Sequence, residues 1–455
     1  MKIALINPTS KEVKVTIEPL NLGYIAGYLE RHGIKVKIID QMAGDDIKKE
    51  IRTYHPDIVG ITSMTPMVTN AYRIADMCRR MKILTILGGS HPSALPQEAL
   101  GHADIVVAGE GEKAMLAVVQ EGITSGIVSH PYLDNLDDAP LFPRHLMKQY
   151  FYLGGASETK KYMLDFLGEG LHSIKSAALL TSRGCPFRCI FCRNSLRQSP
   201  VRFHSAERVI EEIRRLKADY GVSAMVFLDE NFLVNKPRLE KICQAMINEK
   251  FGILWGCMTS SHYLDRQTAA MIRQAGCRQV NFGIESGSQR ILDVLKKSVT
   301  VEQNKEAIRV CRETGLLAAG SFMIGNPTET VEDVRLTQKF MLENELDSYR
   351  VNITTPYPGT EIWQRCNKQI HKPFNWKGFD QSNFRVYPYT PFSKAELGKL
   401  FLETALIKPS VSPRDWKTSF RYPKESVRWL FRHPITAAKI VLGRYDIRKN
   451  GKNKK

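Results

Sequence analysis

Three cysteines in the run RGCPFRCIFCRN, Cys185, Cys189 and Cys192, are the residues of this chain best suited to chemistry. Spaced by three residues and then by two, they let one loop offer thiolates to three corners of a cube, and thiolates are the usual ligands of iron–sulfur clusters. Such clusters ordinarily take four ligands. The next cysteine, Cys243, is far outside the loop, so one iron would stay open to a substrate or cofactor. A closed four-thiolate site of zinc or iron mainly holds a fold together or passes electrons. A zinc knuckle borrowing a distant Cys or His fits the same three residues. The aromatic Phe191 before the last cysteine and the strand-like AALLTS run ahead of the loop favour the cluster.

The loop resembles that of the radical S-adenosylmethionine enzymes, where it follows the first strand of a partial TIM barrel. The resemblance implies that Cys185, Cys189 and Cys192 are the cluster ligands. It also implies that the open iron holds the amino and carboxylate groups of S-adenosylmethionine, and that reductive cleavage yields methionine and a 5′-deoxyadenosyl radical. Phe187 and Arg188, inside the loop, are read as support.

The elements that must position this loop are legible as alternating strand-like and helical runs from residue 176 onward. AALLTS, AMVFLDE, ILWGCMTS, QVNFGIES, AAGSFMIG and YRVNITTPYPGT are strands, and helical patterns separate them. Six such units fit an open (β/α)6 barrel over residues 176–370, whose site lies at the C-terminal strand ends. Cys185, Asp229, Glu230, Thr259, Glu285, Ser286, Gly325, Asn326 and Pro356 fall there. By resemblance, S-adenosylmethionine meets Phe191 and the FLDENF residues Asp229, Glu230 and Asn231, where two carboxylates suit the methionine amino group. Glu285 and Ser286 are assigned to the ribose and methionine portion, and Ile324 and Gly325 of MIGNPTET to the adenine. Taken alone, an Asp-Glu-Asn at a strand end is an ordinary turn or helix cap.

Residues 1–131 carry a second pattern. KIALIN, VKIID, DIVGIT, ILTILGG and DIVVAGEG alternate with helical segments, predicting a five-stranded doubly wound parallel sheet. Ligands of such sheets bind beyond the carboxyl ends of the strands, so Asn7, Pro8, Thr62, Ser63, Met64, Gly88, Gly89, Gly109 and Glu110 are candidate contacts. The first turn, NPTSK, lacks G-x-G-x-x-G, and no dinucleotide is expected. EPLNLGYIAGYLERHG, ITSMTP, LGGSHPSALPQEAL and DIVVAGEGE, in this order before the cysteine loop, resemble the cobalamin-binding domain of cobalamin-dependent radical S-adenosylmethionine enzymes. That adds Leu22, Gly23, His91, Gly111 and Glu112 to the contacts. Glycines let a broad, flat corrin ring lie over the strand ends. Cobalamin domains that ligate cobalt from below use D-x-H-x-x-G, but DQMAGD has Met42 in the histidine position, which removes that ligand. His91 is read as a loop residue and not as a cobalt ligand.

Residues 132–175 read as a linker packing across both domains, with DNLDDAPLFPRH resembling the family's connector. A basic, mainly helical region follows at 371–455. From Lys408 to Lys455 there are fourteen Lys and Arg against three Asp and Glu, most of the chain's net charge of +18. Apolar residues from Trp429 to Leu442 interleave with these cations, which suits a membrane-surface helix, a lipid substrate and a peripheral location; a helix docked on the barrel with a solvated tail fits equally. No recognition module for nucleic acid appears. Tyr357 and Trp363 of TPYPGTEIWQRC are either pocket lining or packing. The N-terminus shows no signal-peptide pattern, no apolar run approaches the ~20 residues that cross a bilayer, and a cytoplasmic enzyme is expected. Most of the other six cysteines read as small buried hydrophobes.

The combined resemblance implies three cofactors, a 4Fe-4S cluster, S-adenosylmethionine and cobalamin, and an electron donor of the flavodoxin or ferredoxin type. It implies radical methyl transfer to an unactivated carbon or phosphinate centre of a small-molecule or lipid substrate. Cobalamin-dependent cyclisation or rearrangement is the alternative, and a non-catalytic iron–sulfur protein is a third reading. The catalytic residues and the substrate are not legible in the sequence.

Overall fold

The computed structural model describes residues 1–9, 17–154, 174–197, 199–369, 374–376, 379 and 389–407. The first sheet is wholly parallel and has six strands, not five: β1 (Lys2–Asn7), β2 (Lys35–Asp40), β3 (Ile58–Thr62), β4 (Leu84–Gly88), β5 (Ile105–Val107) and β6 (Gly126–Val128), in the order β2-β1-β3-β4-β5-β6. The extra strand, β6, is a three-residue edge element, too short for its periodicity to be read, that pairs with β5. Because β2 and β3 flank β1, the strand order reverses there and opens a crevice beyond the carboxyl ends of β1 and β3.

Both faces of this sheet are covered, which is why KIALIN is apolar at consecutive positions. Ile3 and Leu5 of β1 pack under α1 (Leu20–Arg31) and α6 (Glu112–Gln120). Ala4 and Ile6 face α2 (Ile47–Tyr54), α3 (Val68–Arg80) and α5 (Pro96–Leu100), with α4 (Ser90–Ala94) following β4.

The second sheet contains β7 (Ser176–Leu179), β10 (Ala224–Phe227), β11 (Leu254–Thr259), β12 (Cys277–Glu285), β13 (Leu317–Ile324) and β14 (Ser348–Ile353), with a short antiparallel ribbon, β8 (Ser182–Arg183) and β9 (Arg202–Phe203), inserted after β7. The six strands are parallel and adjacent in chain order, and β14 does not pair with β7, so this is an open six-stranded barrel. Its helices start where the sequence offers a cap. Ser205, Asn235, Asp265, Thr300 and Thr330 each accept a hydrogen bond from the backbone three residues on, a contribution of about 1 kcal/mol apiece.

The described part of the linker bonds the two halves. Phe142 lies against Gly23, where an added Cβ would stand 2.0 Å from the ring, and Pro140 and Pro143 cover Gly27 one turn on. The glycine pair of α1 is a groove for the connector, so Gly23 serves packing between the halves. Arg144 pairs with Glu212 and donates to the carbonyl of Ala178 at 3.1 Å, and Tyr24 donates to the carbonyl of Leu180 at 3.0 Å. Leu133, Leu136, Phe142 and Tyr152 join Ala178, Ala224 and Val226 of the barrel in one apolar cluster with the first sheet. Beyond β14, Trp363 packs with Trp376 and Phe379 on the α3 face of the first sheet and Tyr357 lies at the edge of that cluster, so packing explains this pair. The helix Lys394–Ala405 docks on the barrel through Leu397 and Leu400. The basic tail, 408–455, lies outside the described residues. Among the described residues no helix is long and apolar enough to cross a membrane.

Candidate functional site

The cysteine loop springs from the β8–β9 ribbon and returns to it. Gly184 permits the departure: its φ is +90°, and a Cβ there would stand 2.5 Å from the carbonyl oxygen of Pro200. The loop is then pinned by its own backbone. Ile190 N donates to Leu295 O at 3.0 Å, Ile362 N donates to Ile190 O at 3.1 Å, and Glu361 N donates to Ser195 Oγ at 3.1 Å. The Ile190 side chain is fully buried with Ile291, Leu295 and Ile362. Cys189 is buried, Cys185 and Cys192 are partly exposed, and the other six cysteines are buried.

Burial raises all three loop thiols, Cys189 to about 11. Opposing contributions come from Asn231, whose Nδ2 donates to Cys185 Sγ at 3.1 Å, and from the Lys297 charge beside Cys189 and Cys192. Among the described residues no group of His, Cys, Asp or Glu closes around a single-ion position. Thiolates bound to different irons of one cube stand farther apart than ligands of one ion, and an open, three-thiol mouth fits the cluster and not a zinc knuckle.

The strand ends divide the predicted S-adenosylmethionine residues into two groups. Glu230 and Asn231 stand at the mouth beside the cysteines, whereas the Phe191 side chain is partly buried against the apolar cluster around Ile190. Glu230 is exposed yet partly surrounded by protein, which raises its carboxyl, and it accepts from Asn194 at 2.7 Å. Asn231 bridges Cys185 and the backbone of Ser260, whose N–H it accepts at 2.7 Å. Asp229 is a correction: it is fully buried and points the other way, accepting from Thr181 N, Thr181 Oγ1 and Ser182 Oγ. The chain turns just past β10, and only Glu230 of the two carboxylates is left exposed at the mouth. The Ser286 side chain is likewise buried and hydrogen-bonded to Thr337 Oγ1, and Ile324 is core.

Glu285 sits at a register shift in β12 with φ +65°, a strained conformation for a non-glycine residue. Its carboxylate is 3.2 Å from Lys297 Nζ. Lys297, which sequence reading missed, is a nearly enclosed ammonium aimed at the cysteine loop; Lys296 before it has φ +51°, which turns the chain so that the two lysines diverge, Lys296 pairing with Glu361. Glu329 was missed as well. Fully buried, it accepts from Gly325 N at 2.7 Å, Asn326 N at 3.1 Å and Asn326 Nδ2 at 2.8 Å, holding the MIGNPTET loop in shape. Burial raises its carboxyl to about 7. The glycine at 325, which takes φ +80°, was the available signal for a loop that curls back on itself.

The crevice of the first sheet is built from backbone. Gly89 has φ +99° and ψ −170°, a region open to glycine alone, and a Cβ there would stand 2.6 Å from Ser63 O. A Cβ at Gly88 would meet Val107 at 3.9 Å, an ordinary contact, Pro8 is buried, and Met64, just past β3, is 46% exposed, an apolar side chain free to meet a flat ligand. These features fit a corrin ring. Thr62 accepts from Asn21 at 2.7 Å, and Gly109 N donates to Ser93 at 3.1 Å.

Other predicted contacts are committed elsewhere. Asn7 donates to Asp40, which Tyr152 of the linker also reaches, and Leu22 is core. Gly111 lies against Ile25, where a Cβ would meet it at 2.4 Å. His91 is not a loop residue but part of α4, buried, with Nδ1 3.1 Å from Thr65 Oγ1 and Nε2 3.4 Å from Glu98. Neither nitrogen is free for cobalt. Glu110 and Glu112 face the ribbon: Arg183 stands 3.1 Å from Glu110 and 2.6 Å from Glu112, and Arg202 pairs with Glu110. Burial opposes ionisation of Glu110, but the two guanidiniums hold its carboxyl below the usual range.

An open barrel with a three-cysteine mouth, joined to a doubly wound sheet with a glycine-lined crevice, defines a two-cofactor enzyme architecture. Residues 179–341 match the radical SAM superfamily and residues 8–119 the B12 binding domain. The chain is 33% identical over 439 residues to an uncharacterized methyltransferase of Pyrococcus horikoshii, covering 91% of this chain and 94% of that one. It is 26% identical over 408 residues to the anaerobic magnesium-protoporphyrin IX monomethyl ester cyclase of Rubrivivax gelatinosus, covering 81% and 71%. Among solved structures, the radical S-adenosylmethionine methyltransferase TsrM from Kitasatospora setae, with cobalamin and a 4Fe-4S cluster bound, superposes with a TM-score of 0.64 at 22% identity, over 81% of this chain and 78% of that one. This chain belongs to the radical SAM enzymes that carry a B12-binding domain.

Proposed function

We propose that this enzyme transfers a methyl group to an unactivated carbon or phosphinate centre of a small molecule, using a 4Fe-4S cluster, S-adenosylmethionine and cobalamin. One observation carries the reading: the three-cysteine mouth and the glycine-lined crevice are joined by direct ion pairs from Arg183 and Arg202 to Glu110 and Glu112, so the two cofactor sites adjoin. When bound, the cluster supplies the electron that cleaves S-adenosylmethionine and cobalamin supplies the methyl group.

The protein's part is positioning. Cys185, Cys189 and Cys192 hold the cluster, with Asn231 orienting Cys185. Glu230 receives the methionine ammonium, and Phe191 supports the loop by packing on the cluster around Ile190. Lys297, neutralised in part by Glu285, sets positive charge against the thiolates. Glu329 shapes the loop, from Gly325 on, that packs around the adenine. Gly88, Gly89, Ser63 and Met64 would support the corrin face, and His91, tied to Thr65 and Glu98, would not serve as a ligand. A flavodoxin- or ferredoxin-type donor reaches the cluster past the exposed residues Pro186 and Arg188.

Anaerobic reconstitution with iron, sulfide and cobalamin, desalting and metal analysis test the reading. About four irons and one cobalt per chain are expected. Formation of 5′-deoxyadenosine together with S-adenosylhomocysteine marks methyl transfer; 5′-deoxyadenosine alone marks the cyclase or rearrangement reading, which the 26% identity to the cyclase favours. A lipid substrate would go with membrane-surface binding of a cytoplasmic protein through residues 408–455, and equal liposome binding with and without residues 420–455 removes that version.

A further inference from the structure

Both ends of the cysteine loop are held by one carboxylate of the other half of the molecule. Arg183 and Arg202 are register partners in the β8–β9 ribbon, so they bracket the loop, Arg183 standing two residues before Cys185. Glu110, in the turn between β5 and α6 beside the corrin crevice, is 3.1 Å from Arg183 Nη1 through Oε2, and accepts from Arg202 at both oxygens. Glu112 accepts from Arg183 Nη2 at 2.6 Å, and Arg202 Nη1 also donates to Leu133 O of the linker at 2.6 Å. Tyr24 and Tyr132 cover the guanidinium planes at 5.3 Å and 4.7 Å. The four charges balance, and the group is largely shielded from solvent, with side-chain exposures from 4% to 19%. A buried, bidentate network of this kind has few alternative arrangements, so its members move together.

We propose that Glu110, Glu112, Arg183 and Arg202 form a positioning clamp that couples occupancy of the cobalamin crevice to the arrangement of the cluster loop. The clamp rests on the two-cofactor reading above. A ring seated over the strand ends fixes the β5–α6 turn, the turn fixes the ribbon, and the ribbon sets the spacing of Cys185 from the rest of the mouth. Cluster assembly acts in the reverse direction with the same coupling factor, because linkage between two binding equilibria is reciprocal.

The test is a thermodynamic cycle on the full chain. Hydroxocobalamin affinity is measured by absorbance titration, with and without a reconstituted cluster. In the wild-type protein the cluster is expected to tighten cobalamin binding by roughly fivefold or more. In Arg183→Gln the ratio of the two affinities falls to within about twofold of unity, and Arg183→Lys, a point charge able to serve one carboxylate, restores part of it. The ratio is the readout, since a change that only loosens the fold weakens both titrations alike. If Arg183→Gln does not fold, Glu112→Gln is read by the same ratio, which is expected to drop at least about twofold. A wild-type ratio near unity, or an unchanged ratio in the folded variant, overturns the clamp while leaving the two-cofactor reading intact. A wild-type protein that binds iron but no cobalamin overturns both.

Discussion

The barrel mouth and the crevice of the first sheet, the two places proposed for the cofactors, are built by opposite means. The mouth is made of side chains with specific chemistry: three thiols, an amide on sulfur, a buried ion pair and a buried carboxylate. The crevice is made of backbone, with glycines at φ values other residues avoid and an exposed Met64. A cluster is recognised through covalent ligands, which demand residue types. A corrin without a protein ligand is recognised through shape, which demands the absence of side chains.

That contrast can be broken most directly at Cys185. Cys185→Ala is expected to reduce bound iron from about four per chain to near zero, while cobalt is retained at saturating cobalamin; simultaneous loss of cobalt would show that the two sites do not stand on separate foundations. Next in size is Glu329→Gln. Burial raises the Glu329 carboxyl from its ordinary 4.5 to about 7, so the folded state binds more protons than the unfolded state between these values, and wild-type stability declines as pH rises from 4.5 to 7. The glutamine variant lacks this decline, worth up to about 3 kcal/mol, and denaturant melts at pH 5 and pH 8 measure it. On the crevice side, Gly89→Ala is expected to cost about 1–3 kcal/mol and to lower cobalt content, with iron unchanged when iron and sulfide are saturating, read by thermal melts and metal analysis. The smallest effect belongs to Asn231→Ala. Removing the amide from Cys185 Sγ takes about 1 kcal/mol of stabilisation from the reduced, more negative cluster, which makes its potential roughly 40 mV more negative in an EPR-monitored titration. An unchanged potential would assign Asn231 to packing alone.

Comparison of the two regions also explains what could be read in advance. The barrel strands and helices were legible because amphipathic periods and capping residues such as Ser205 and Thr300 repeat in each unit. The edge strand Gly126–Val128 was not, because three residues carry no period. Glu230 and Asp229 look alike in sequence, and only the partners that folding supplies tell them apart: Thr181 and Ser182 take Asp229, while Glu230 stays exposed beyond β10. Lys297 was hidden because the turn at Lys296 that aims it inward leaves no compositional mark. Glu110 and Glu112 read as crevice residues because nothing local announces that the loop they sit on faces Arg183 and Arg202, respectively 73 and 92 positions beyond Glu110.

The amino-acid order alone determined the thiolate triad, the two alternating patterns of strand and helix, and the absence of histidine at Met42, because each is a matter of residue type at short spacing. Tertiary structure decided the rest. Which carboxylate reaches the mouth, why Gly23 is glycine, that His91 is tied to Thr65 and Glu98, and how the two sites are joined all depend on partners distant in the chain. Spacing along a chain specifies local geometry, whereas ion pairs, close approaches and burial arise between elements that only folding brings together.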